Sequence, residues 1–95
     1  MPRLLSGLIP SGVYAYKLRK ALFAQMSSYI RKDKEWASRV AYYSALLNRA
    51  LYTLLVEDLK VEKTDVIRIA IEFEVDEVNK AINLKWDTLN IEIYK

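Results

Sequence analysis

The chain has 95 residues, 53% of them hydrophobic and 28% charged, with a formal net charge of +3 at pH 7. That length supports one domain, residues 1–95, near the lower end of sizes that fold without disulfide or metal staples. It has no cysteine and no histidine, which excludes disulfides, thiolate nucleophiles, imidazole acid–base chemistry and the usual zinc sites, so the sequence is read as a non-enzyme needing no metal or cofactor.

In chain order, "RLLSGLI" reads as a first strand, weakened by Gly7 and ended by Pro10. Ser11 is a plausible N-cap for a helix to about Lys32. Its core stripe at helical spacing is Ala15, Leu18, Leu22, Met26 and Tyr29, with Lys17, Lys20, Ala24, Ser28 and Arg31 opposite. Asp33 then caps a second helix, Lys34 to about Leu59, with core stripe Trp36, Val40, Leu47, Leu51 and Leu54. The far side of that helix carries Tyr42, Leu46 and Val56 beside Arg49. A helix apolar nearly all round is usually covered twice, and in a domain this small the second cover is expected to be another subunit.

After the turn Glu62-Lys63-Thr64-Asp65 the period changes to two. "VIRIAIEFEV" sets Ile67, Ile69, Ile71, Phe73 and Val75 on one face, and Arg68, Ala70, Glu72 and Glu74 on the other. "AINLKW" points Ile82, Leu84 and Trp86 inward, "LNIEIY" points Leu89, Ile91 and Ile93 inward, and Asp87-Thr88 between them reads as a tight turn. The pattern predicts an α+β domain, order β-α-α-β-β-β, in which a small antiparallel sheet of about four strands packs one face on two long helices. No apolar run approaches the roughly 20 residues of a membrane span, and Met1–Pro10 is too short and too weakly basic for a signal peptide, so a cytoplasmic protein is expected.

Charge is unevenly spread. Residues 1–50 hold nine Lys/Arg against Asp33 and Glu35, a net +7, whereas residues 51–95 hold six basic and ten acidic side chains, a net −4. Such asymmetry suggests a surface facing a polyanion; charge alone fits a solvated basic helix equally well.

The stretch "SGVYAYKLRKALFAQ" adds aromatics to those cations. Tyr16, Lys20, Phe23 and Ser27 share one helix side, with Lys17 and Arg31 beside them, and Arg39, Tyr42 and Arg49 recur on the second helix at spacings of three and seven. Single-stranded nucleic acid needs this mixture, because its phosphates require mobile cations and its unpaired bases offer flat faces for stacking. The same residues also fit a plain surface or a protein-docking face. The carboxylates assemble no site: Glu72, Glu74 and Glu92 lie on outward strand positions, where they can pair with Arg68 or Lys85 across strands. No phosphate loop, dinucleotide fingerprint or calcium loop is present, so no small-molecule substrate is indicated.

The whole pattern resembles the archaeal ThermoDBP-related proteins: an N-terminal strand, "SGVYAYKLRKALFAQ", a second helix with "LNRALYTLLVEDLKVEKTDVIRIAIEFEV", and a terminal "WDTLNIEIYK". The resemblance spans nearly the whole chain. It implies an intracellular archaeal protein that binds single-stranded DNA without strong sequence preference and works as a homo-oligomer, dimer or tetramer. Tyr14, Lys17, Arg19, Lys20 and Phe23 are the first-helix residues that it implicates. Because the chain stops at Lys95, directly after the last expected strand, it is similar to the minimal group of that family, in which the domain itself supplies the subunit contacts. The expected function is therefore sequence-tolerant single-stranded DNA binding in a groove or an intersubunit channel. The alternatives are a protein-interaction module and a single-stranded RNA-binding accessory protein, and the high charged content also suits a thermophile.

Overall fold

The structure, a computed structural model, describes residues 2–94. Two short strands, β1 (Arg3–Leu5) and β2 (Ile9–Pro10), lead through a 3-10 turn (Ser11–Val13) into α1 (Tyr14–Gln25), α2 (Ser27–Lys32) and α3 (Glu35–Tyr52). α3 continues into a π-helical turn, Thr53–Asp58, and a long hairpin follows, β3 (Val66–Asp76) and β4 (Ala81–Tyr94). The class is α+β, as expected, with a four-stranded antiparallel sheet. β3 is central: β4 runs along one edge, while β1 and β2 lie end to end along the other.

The strict alternation in β3 explains the layering. Ile67, Ile69, Ile71 and Phe73 are buried on one face against Leu18 and Leu22 of α1 and Val40, Leu47 and Leu51 of α3. Each such side chain contributes about 1.5–3 kcal/mol by leaving water. On the other face Arg68 pairs with Glu92 at 3.6 Å and Lys85 with Glu74 at 2.9 Å, the cross-strand ion pairs the alternation allows.

The strands are distributed differently from the sequence expectation. The N-terminal strand is split at Ser6-Gly7-Leu8, where Gly7 takes φ +69°, so the fourth strand comes from the N-terminal end. Asp87-Thr88 is no turn, and "AINLKW" and "LNIEIY" form one strand. Asn90 pairs with Ala70 and Lys85 with Glu72, so Trp86–Leu89 bulge opposite Ile71 alone. The bulge brings Trp86 to the surface, 47% exposed, rather than into the core.

Both edges of β3 are patched by hydroxyls where the ladder breaks. Ile69 N–H donates to Ser6 Oγ at 2.8 Å, and Glu72 N–H donates to Thr88 Oγ1 at 2.8 Å, while Thr88 itself donates to Lys85 O at 2.6 Å. Replacing Thr88 by Val keeps the shape and orphans the Glu72 amide. Urea unfolding is expected to show a loss of about 1–3 kcal/mol; an unchanged midpoint would mean that water replaces the hydroxyl.

The helices depart from expectation at three points. Ser11 is buried inside the 3-10 turn, its N–H donating to Asp65 O at 2.7 Å, and its side chain caps nothing. The first long helix is interrupted at Met26 (φ −94°, ψ 7°), just before Ser27-Ser28, residues whose hydroxyls compete for backbone bonds. In the π-helical turn Leu59 N–H reaches Leu54 O, and the added residue rotates Leu55 rather than Leu54 into the core. Asp33 does act as the expected start signal: it is extended, and its Oδ1 accepts the Glu35 N–H at 3.0 Å.

Candidate nucleic-acid interface

α1 and α3 lie against each other through a reciprocal clamp. Tyr14 O–H donates to Asn48 O at 3.1 Å, and Asn48 Nδ2 donates to Ala15 O at 3.2 Å. Burial raises the Tyr14 pKa above its usual value, and the nearby Tyr52 raises it further. Tyr14, one of the sequence-predicted residues, is thus half-buried between helices, its hydroxyl turned inward to α3.

Four of the others converge on the outer side of α1. Tyr16, Arg19, Lys20 and Phe23 line an open hollow of about 350 Å³. Helical spacing produces two interlocked pairs, each four residues apart: the Arg19 guanidinium lies 5.0 Å from the centre of the Phe23 ring, and Lys20 Nζ lies 5.9 Å from that of Tyr16. Tyr16 is 64% exposed, whereas Phe23 is half-buried and rests on the core. Each cation therefore covers ring surface that the core leaves open.

A second hollow, about 370 Å³, lies on α3 between Tyr42, Ala45, Leu46 and Arg49. The Tyr42 ring is fixed edge-on against Tyr43, centres 5.1 Å apart at 84°. The two hollows share no residue. Lys17 lines neither, Arg31 sits beyond the Met26 interruption at the end of α2, and Arg39 lies 3.9 Å from Glu35 in an exposed pair. Among the described residues no carboxylate ion-pairs with Lys17, Arg19, Lys20, Arg31 or Arg49.

Arg19, which the family resemblance implicates, joins Tyr16, Lys20 and Phe23 through its pair with Phe23, whereas Ser27, set on their line by helical spacing, leaves it because the helix is interrupted before it. Leu46 completes the second hollow, and its apolar position opposite the core stripe was the available signal.

The acidic partner of Lys80 lies elsewhere. Lys80, in the β3–β4 turn at φ +49°, bonds to Asp33 and to Glu35, tying the hairpin tip to the start of α3. The Lys80 bond, then the Glu35 amide, hold the Asp33 carboxyl below its ordinary 3.8. Asp33 is therefore stabilising above 3.8, and its contribution is lost as pH falls through the lower folded value. Melting temperature is expected to fall in that acid window for the native chain and to fall less for Lys80→Met; identical acid profiles would remove the pair from the stability account.

Among the described residues no helix is long and apolar enough to cross a membrane, and no cluster of His, Cys, Asp or Glu is placed to hold a metal. A family model described as ThermoDBP-related, archaea, matches residues 4–83. Among solved structures, apeThermo-DBP-RP2 bound to the single-stranded DNA dT10 is 38% identical with a TM-score of 0.92, over 100% of this chain and 42% of that one. pfuThermo-DBP-RP1 is 30% identical with a TM-score of 0.84, over 99% of this chain and 58% of that one. The chain thus spans about half the length of these two proteins. No curated protein matches it.

Proposed function

The chain belongs to the archaeal ThermoDBP-related family, and from that membership we propose that it binds single-stranded DNA in the cytoplasm, with little sequence preference and no catalysis. The observation that carries the reading is the relative solved with dT10: this chain shares its fold from end to end at 38% identity. The α1 hollow supplies the matching chemistry. It sets cations without carboxylate partners against aromatic faces, and stacking on such faces is worth about 1–3 kcal/mol per base. Tyr14 serves as the clamp that orients α1, while Lys17, Arg31 and Arg39 act as longer-range electrostatic attraction.

We further propose that a second copy covers the outer face of α3. Tyr42 (58% exposed), Leu46 (40%) and Tyr52 (52%) make a stripe too apolar to favour water. The stripe is self-complementary: antiparallel two-fold packing centred on Ala45 and Leu46 sets each Arg49 on the partner copy's tyrosine at position 42, with the small Ala45 admitting the opposite leucine. DNA then runs in a groove or channel that such an assembly borders.

The test is fluorescence anisotropy of labelled single-stranded DNA, the same sequence as duplex, and matched single-stranded RNA across a salt series. Salt-weakened binding that favours single-stranded DNA supports the reading. Equal affinity for RNA would widen it to single strands of either sugar. No binding at low salt would overturn it in favour of a protein-docking role.

A further inference from the structure

The two cation–ring pairs of the α1 hollow carry a more specific mechanism, which rests on the reading that the chain binds single-stranded DNA. We infer that Arg19 and Lys20 cover the Phe23 and Tyr16 rings in the free protein and are displaced by nucleobases, moving to the flanking phosphates. Base stacking and phosphate neutralisation are then one coupled event at this site.

The geometry supports an exchange rather than an addition. Phe23 has its inner side packed on the core, so the side beneath Arg19, 5.0 Å away, is where a base has to stack. A base cannot occupy that face while the guanidinium does. Lys20 stands in the same relation to Tyr16, at 5.9 Å, in the same hollow. Neither cation ion-pairs with a carboxylate among the described residues, so only the ring contact has to be given up. Both side chains are long and jointed, and they swing from ring to phosphate without moving the helix. The hollow, about 350 Å³ and open to solvent, lies within the size range of ligand pockets.

This coupling has an unusual signature. Salt dependence ordinarily counts phosphate contacts and ignores the bases, with a slope of about 0.7 per contact on single strands. If bases release the cations, the slope depends on the bases being there.

The experiment compares dT10 with a ten-unit abasic strand of the same backbone and label, by anisotropy from low to high salt. For the native chain the slope of log affinity against log salt is expected to be steeper for dT10 by about 0.7 per released cation, about 1.4 for two. Phe23→Leu keeps apolar bulk on the core but removes the ring that holds Arg19. In that variant, with native melting confirmed, the abasic slope is expected to rise toward that of dT10, closing about half the gap. Equal slopes for the two strands with the native chain would overturn the exchange while leaving DNA binding intact. Failure of both strands to bind at low salt would instead overturn the functional reading itself.

Discussion

Neutralising Arg19 and Lys20 together, as Arg19→Gln with Lys20→Gln, is expected to weaken dT10 binding by about 60-fold at 50 mM salt and only about tenfold at 200 mM. Each phosphate contact on a single strand contributes a slope of about 0.7, so two contacts are worth more the lower the salt. Both residues are exposed and without carboxylate partners, so their loss should leave the melting temperature nearly unchanged. Lys17→Gln, on the same helix but outside the hollow, gives the reference. It should cost less than tenfold, and its effect should not differ between dT10 and the abasic strand. If the double variant bound no worse than Lys17→Gln, the hollow would not be where phosphate is held.

Leu46→Asp is expected to reduce the assembly to monomers. At the two-fold proposed for α3 both copies bring the substitution to one place, so two like charges meet in the seam and each is desolvated there with only Arg49, which the contact commits to the partner copy's ring, within reach, at about 3 kcal/mol or more. Two such costs weaken association by about four orders of magnitude. Light scattering coupled to size exclusion reads this directly as a fall in mass. Val78→Asp, at a 93% exposed position in the β3–β4 turn, should leave the mass as in the native chain. A native chain that already runs as a monomer would refute the proposed contact without touching the α1 hollow. Loss of DNA affinity in the Leu46→Asp monomer, with α1 intact, would place the DNA path between copies.

Fold class was legible because periodicity is a local property. The alternation Ile67, Ile69, Ile71, Phe73 reads inward without any knowledge of partners, and so does the Leu18, Leu22, Met26 stripe. What was lost lay in interactions across the chain. Leu84 and Leu89 both pack toward the core although they are five residues apart, a change of parity that a turn and a bulge produce alike. Asp87-Thr88 suggested the turn; only the pairing with Glu72 and Ala70 decides for the bulge, and with it the exposure of Trp86. The π-helical turn shifted Leu54 and Leu55 for a similar reason, since its one-residue offset leaves no mark in composition.

The hollow shows the same division. Tyr16, Lys20 and Phe23 were visible as a helical stripe, because spacings of three and four are fixed by the backbone. Arg19 stands at the same spacings, three from Tyr16 and four from Phe23, whereas that Tyr14 leaves them depends on Asn48, 34 residues away in sequence. The gathering of cations and rings on α1 is thus a matter of spacing, whereas their division between surface and clamp is a matter of contacts across the chain.

The bulge in β4 also bears on edge-to-edge association between copies of the chain. A strand of 14 residues along the rim of a sheet is a template onto which further chains can add by backbone bonding, the first step toward fibrous aggregates. Here the regular pairing is cut into two runs, residues 81–85 and 90–94, with Trp86–Leu89 thrown out of line between them. Neither run reaches the six or seven residues that such stacking requires. A variant with the excess residues deleted, so that β4 lies flat against β3, would gain ladder bonds and give up that protection, and is expected to aggregate on heating more readily than the native chain.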